Sequence, residues 1–205
     1  MSQQEDVKDI AQVLSDGRYD LPMFLRYLKT FAMSGTQPDK AILLGILMQS
    51  LARFHTSDFT ACMCLVASYM QDSSSVEKEI ADIYELENFL TCGQFTKFWS
   101  QWSKVKEHLP ESFHFETRVR TSILECISLT LESIPAERLA TYLAVPVNQL
   151  PRIIENAKKQ DGEFDVVSCN TTSVTFPQNL FNHPESSTNQ DMLKFSDVVT
   201  IVETI

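Results

Sequence analysis

The residues in this chain that could do chemistry are few, and their spacing argues against a catalytic centre. Cys62 and Cys64 form a Cys-x-Cys pair. On a helix, positions i and i+2 point about 200° apart, so the two thiols cannot readily share one metal ion. No CxxC or HxxxH partner lies elsewhere to complete a ligand set. The histidines are His55, His108, His114 and His183. None sits in a pattern that supplies a nucleophile, a base and an orienting acid. There is no GxSxG, no HExxH and no glycine-rich phosphate loop, and five glycines leave little room for one. We therefore expect no enzyme activity, no cofactor and no metal. The cysteines, five in all at irregular spacing, read as free, mostly buried thiols of a reducing cytosolic or nuclear compartment.

The elements around these residues are helical. Hydrophobic residues make up 43% of the 205 positions, and glycine is too scarce for a turn-rich β fold. A weak stripe of Val7, Ile10, Ala11 and Leu14 is stopped by Asp16-Gly17. A second helix, from Leu21 to Met33, carries Phe24, Leu25, Leu28 and Phe31, and Ser34-Gly35 ends it. Residues 39–54 have almost no polar face, which predicts a central helix covered on several sides. It is too short for the roughly 18 apolar residues of a membrane span. The next helix should start near Thr56–Asp58, with Phe59, Cys62, Met63, Val66 and Met70 inward. Ser74-x-x-Glu77 reads as a capping box for a helix with Ile80, Ile83, Tyr84 and Leu90. After Gly93 comes the stripe Phe95, Phe98, Trp99, Trp102 and Val105. A long helix follows from Phe115, with its inward face running to Ile134, and Pro135 either ends it or restarts a new one.

Beyond Pro135 the pattern changes. Ala136–Ala144 is a short helix, and Asn148 is placed to cap a further one through Lys159, with Leu150, Ile153, Ile154 and Ala157 inward. Two extended runs, Glu163–Cys169 and Ser173–Phe176, are rich in Val, Phe and Thr and read as a hairpin. Helix, helix-turn-helix and hairpin is the order of a winged helix. A polar linker then leads to a last amphipathic helix at about 190–203. The expected fold is thus mostly α: a degenerate, HEAT-like helical-repeat region over 1–112, a winged helix with a small β-hairpin over 113–180, and a linker with a C-terminal helix over 181–205.

Charge narrows the partners. The net charge is −10, and residues 135–205 hold five basic against nine acidic side chains. Phosphate binding needs clustered Lys and Arg. The would-be recognition helix offers Arg152, Lys158 and Lys159 against Glu155, and the hairpin adds only Glu163 and Asp165. A DNA-binding regulator is the competing reading of another class. The better use of the hairpin is assembly, because a strand edge can pair with a neighbour's strand. The candidate partner-binding residues are Phe164, Val166, Val174 and Phe176 of the hairpin. Met192, Phe195, Val198, Val199 and Val202 of the last helix join them, and that helix either folds back on its own domain or docks on a partner.

Two segments resemble a known family. Phe54-His55-Thr56-Ser57-Asp58-Phe59-Thr60-Ala61-Cys62-Met63-Cys64 is similar, with one inserted residue, to a His-Thr-Asp-Phe run leading into a Cys-x-Cys helix. That run marks the subunit-k family of eukaryotic translation initiation factor 3. Leu90-Thr91-Cys92-Gly93-Gln94-Phe95-Thr96-Lys97-Phe98-Trp99 resembles the same family's Leu-x-x-Cys-x-Phe-x-x-Phe-Trp block. Arg18-Tyr19-Asp20 and Leu25-Arg26-Tyr27-Leu28 fall where the family has an Arg-Tyr-Asn start and an aromatic helix. The chain departs in its first turn, which lacks the family's Asn-Pro-Glu, and it resembles a divergent member. Proteasome-lid and COP9-signalosome subunits share this PCI-type plan and are the runner-up. The resemblance implies a non-catalytic, cytoplasmic scaffold of translation initiation. Its partners would be other initiation factor 3 subunits, especially subunit l, and through them the small (40S) ribosomal subunit. Contact with a membrane, or directly with nucleic acid, is not implied.

Overall fold

The computed structural model describes residues 3–66, 77–110, 114–159, 162 and 164–183. The chain begins with α1 (Gln3–Ser15), α2 (Leu21–Ser34), α3 (Lys40–Leu51) and α4 (Asp58–Met63). Capping carboxylates start the second and third of these. Asp20 accepts the Met23 N–H at 3.0 Å, and Asp39 accepts those of Ala41 and Ile42 at 2.9 and 3.1 Å. From Ile42 to Leu51 every residue of α3 except Gly45 is buried, as an apolar run without a polar face requires. Gly45 marks a close approach: a Cβ there would lie 3.0 Å from Leu14 Cδ1 of α1.

Next come α5 (Glu77–Thr91) and α6 (Phe95–Val105), packed as a pair. All five residues of the expected α6 stripe are buried. Helix α7 (Phe115–Thr130) is shared between the two halves of the chain. It packs on α3 on the repeat side, and on α8 (Ala136–Leu143) and α9 (Leu150–Lys159) of the winged helix. The core is one continuous cluster from Ile10 to Phe176.

The winged helix differs from expectation in its sheet. The α7 helix ends at Thr130, and Leu131 is already extended. Ser133–Pro135 is a strand, β1, which pairs antiparallel with β3 (Ser173–Thr175); β2 (Ser168–Cys169) pairs on the other side of β3. The order β1-β3-β2 makes a three-stranded sheet, not a lone hairpin. Ile134 keeps the helical phase of α7, so its inward position is equally readable as helix. Its pairing with Val174 settles the matter. Pro135, which lacks a ladder donor, sits at the end of an outer strand where it is tolerated.

Two smaller expectations also change. Asn148 caps nothing, because Val147–Gln149 forms a 3-10 turn that runs straight into α9. Helix α4 stops at Met63, where i to i−3 bonds from Leu65 and Val66 tighten the turn. Asp58 is the first residue of α4, after Ser57 at the N-cap, and its carboxylate accepts the Tyr19 hydroxyl at 2.6 Å. The Ser74–Glu77 capping box, Met70 and the helix expected at 190–203 lie outside the described residues.

Candidate protein-interaction surfaces

The two thiols of the Cys-x-Cys pair are placed apart. Cys62 is buried, with its Sγ 3.4 Å from Ser50 Oγ, while Cys64 is exposed. Burial pushes the Cys62 thiol up and the Cys126 thiol up to about 11, so both stay protonated and poorly nucleophilic near neutral pH. Among the described residues no group of three or more His, Cys, Asp or Glu could hold a metal ion.

The 54–59 segment instead joins a polar cluster at the end of α3. Arg53 lies over the Tyr19 ring at 3.8 Å and donates to the Gln49 carbonyl at 3.3 Å. His55 Nε2 is 3.4 Å from Glu125 Oε2, and Arg118 pairs with the same carboxylate at 3.3 Å. Glu125, on α7, is 5% exposed, so this carboxylate depends on its partners. Burial lowers the His55 pKa; Glu125 pulls it up, while Arg118 and Arg53 push it further down. Ser122 adds a second tie between α7 and α3, donating to the Ala52 carbonyl at 2.7 Å.

The 90–99 segment builds the joint to the winged helix. Trp99 Nε1 donates to the Tyr142 carbonyl at 2.8 Å, and Phe95 packs on the Tyr142 ring. Arg120 of α7 lies over the Trp99 ring at 4.6 Å, donates through Nε to the Leu143 carbonyl at 3.0 Å, and pairs with Glu116 at 3.1 Å. Trp102 Nε1 donates to the other Glu116 oxygen at 3.1 Å. Burial works to raise the Glu116 carboxyl, but the Trp102 N–H and the Arg120 guanidinium outweigh it and hold it below the usual range. The carbonyls of Tyr142 and Leu143 belong to the last turn of α8, which lacks intrahelical partners. Side chains of α6 and α7 thus fix the end of a winged-helix element in direction as well as position.

The expected contact residues separate into two groups. Phe164, Val174 and Phe176 are buried in the chain's own core. Val166 is half-buried. The neighbouring Val167 is the apolar residue that the wing presents outward, at 69% exposure. Because β3 is paired on both sides, the hairpin edge open among the described residues is that of β2. Met192, Phe195, Val198, Val199 and Val202 lie outside the described residues.

Sequence reasoning missed the turn after β3. Leu180 and Phe181 are each 76% exposed, beside Leu129 and Leu131 at 47% and 40%. The signal was two bulky apolar residues bracketed by Asn179 and Asn182. Those asparagines tie the turn to α7: both donate to the Ser128 carbonyl, at 3.3 and 3.2 Å.

A helical array joined through α7 to a winged helix with a small three-stranded sheet is the architecture of PCI-type proteins. More particularly, the chain belongs to the CSN8/PSMD8/EIF3K family, whose model matches residues 39–167. Its relatives include eukaryotic translation initiation factor 3 subunit K of Culex quinquefasciatus, 26% identical over 155 residues, which cover 75% of this chain and 68% of that protein. The subunit K protein of Yarrowia lipolytica is 24% identical over 198 residues, covering 92% of this chain and 81% of the relative. That of Danio rerio is 25% identical over 152 residues, 72% and 68% of the two chains.

Proposed function

We propose that this chain is a non-catalytic subunit of translation initiation factor 3, acting in the cytoplasm as an assembly and regulatory scaffold. The observation that carries the reading is the similarity to proteins named as its subunit K along as much as 92% of the chain. Residues 1–112 then serve as the helical-repeat arm, 113–180 as the winged helix and 181–205 as the tail. The open β2 edge with Val167 is the contact offered to a neighbouring subunit by strand addition, with subunit l as the leading partner. The apolar stripe Met192, Phe195, Val198, Val199 and Val202 is a second docking element. Association with the small ribosomal subunit follows through the complex. The acidic surface suits contacts made through other proteins rather than through phosphates.

Affinity purification of the tagged full chain from cytoplasmic extract, read by mass spectrometry, tests this. The expected result is recovery of the other initiation factor 3 subunits and of small-subunit ribosomal proteins. Recovery of proteasome-lid or signalosome subunits in their place would overturn it. So would salt-sensitive binding to duplex DNA that is lost on Arg152→Glu or Lys158→Glu.

A further inference from the structure

The turn 177–183 combines an ordered backbone with outward apolar side chains. Asn179 Oδ1 accepts the Phe181 and Asn182 N–H groups at 2.8 and 3.0 Å, and Asn182 Oδ1 accepts the Asn179 N–H at 2.8 Å. Asn182 Nδ2 also donates to the Pro177 carbonyl at 3.0 Å. Gln178 donates to Glu132 at 2.9 Å, and His183 Nδ1 is 3.6 Å from the same carboxylate. The polar groups of the turn are thus satisfied locally, and what it offers outward is Leu180 and Phe181. A cavity of about 430 Å3 opens alongside, lined by Leu129, Phe164, Gly162 and Pro177 together with the polar Ser128 and Asn179 and the charged Asp165. A fixed apolar rim beside a cavity is a docking site in form, and single scattered apolar residues are not.

We propose that this patch receives the chain's own residues 190–203. His183 is anchored beside the patch, and the polar linker 184–189 follows it directly. Six linker residues span at most about 25 Å even when fully extended. Whatever begins at Gln190 therefore begins within reach of Phe181. Met192, Phe195, Val199 and Val202 recur at helical spacing, with Lys194, Asp197 and Glu203 at intervening positions. Such a segment, laid with its apolar face on an apolar rim, is the helix-in-groove mode of recognition. A linker this short gives an effective concentration of about millimolar, far above that of a partner in solution. In the isolated chain the tail therefore occupies this patch before any partner can. The inference goes beyond the proposed function and does not depend on it.

Hydrogen–deuterium exchange on the isolated full chain at low micromolar concentration provides the test, since it involves no partner. Amides of 190–203 should exchange at least about tenfold more slowly than in a synthetic peptide of those residues. The double variant Leu180→Asp/Phe181→Asp should return them to the peptide rate while α7 stays protected. If α7 exchange also rises, the single variants Leu180→Ser and Phe181→Ser are read instead. Peptide-like exchange in the unmodified chain, or protection indifferent to these substitutions, would overturn the proposal. Protection that grows with protein concentration would assign the patch to a second copy. Protection that appears only on adding initiation factor subunits would assign it to a partner. Either result also refutes docking in cis, and neither bears on whether the chain joins the complex.

Discussion

Replacing Arg120 by methionine keeps the packed alkyl stem and removes the guanidinium, which separates the polar bonds of the joint from its apolar contacts. Three interactions are lost. The charged N–H to the Leu143 carbonyl, at 3.0 Å, contributes about 1.5–3 kcal/mol. The cation over the Trp99 ring, at 4.6 Å, adds about 1 kcal/mol, because the Arg120 side chain is only 20% exposed. The pair with Glu116 adds about 0.5 kcal/mol or less, because that carboxylate is 44% exposed and can rehydrate. These effects are not independent, so the expected total is about 3 kcal/mol. For a chain of this length that lowers the Tm by roughly 6–12 °C. Urea denaturation supplies the free energy and thermal scanning the Tm. Arg120→Lys should recover less than half of the loss, because an ammonium cannot stack on Trp99 and bond the carbonyl in the same fork geometry. A cost below about 1 kcal/mol for Arg120→Met, or full recovery by lysine, would refute the view that directional bonds hold the wing.

Other perturbations probe other parts of the fold. His55 has a lowered pKa in the folded chain, so the unfolded chain binds a proton there more readily; its stability contribution is complete above about pH 6.5 and declines as the pH falls below that. His55→Asn should therefore flatten the loss of stability between about pH 6.5 and 5 in parallel urea titrations, and an unchanged slope would remove His55 as the cause. Gly162→Ala should cost about 1–3 kcal/mol, since its Cβ would meet the Ala157 carbonyl and a Phe164 ring carbon at 2.7 Å each; a neutral thermal shift would show that the wing can move aside. Ser122→Ala should cost about 1–2 kcal/mol by removing the buried bond to Ala52, against a near-neutral effect of Thr130→Ala at the exposed end of the same helix.

How much of this was legible in the sequence depends on whether the signal is local. The α6 stripe could be read residue by residue, because each of Phe95, Phe98, Trp99, Trp102 and Val105 falls on the helical period and nothing distant is needed. The burial of α3 on several sides was legible for the same reason. Strand β1 was not legible. It is three residues long and exists because Val174, forty positions away, pairs with Ile134. The candidate surface was half legible. Alternation marks Val174 and Phe176 as apolar, but it cannot say whether a small sheet turns that face to a partner or to its own α7 and α8. The joint was hidden altogether. Periodicity shows that Trp99 points inward and is silent on which carbonyl its N–H will meet, and that carbonyl lies 43 residues downstream.

The two segments that resemble subunit k are also the two that make directional bonds to distant parts of the chain. Phe54–Phe59 holds His55 and Asp58, which meet Glu125 and Tyr19; Phe95–Trp99 holds the indole that bonds α8. A scaffold of the kind proposed above would act by holding surfaces at fixed positions. Hydrophobic burial cannot do this alone, because it is non-directional and lets packed elements slide and rotate at small cost. Hydrogen bonds to the last-turn carbonyls of α8 have defined donors and angles, so they set the orientation of the wing against the helical array. The edge of β2 is then held at one angle relative to α2–α6, and under the proposed function a neighbour adding a strand there would meet the array in one register. Trp99→Phe separates the two contributions, since it removes the N–H and keeps most of the buried ring. It should cost only about 1 kcal/mol of stability, yet it should weaken recovery of neighbouring subunits by more than that loss alone accounts for. Recovery that merely tracks stability would mean that the wing is held by its core and that its angle carries no information.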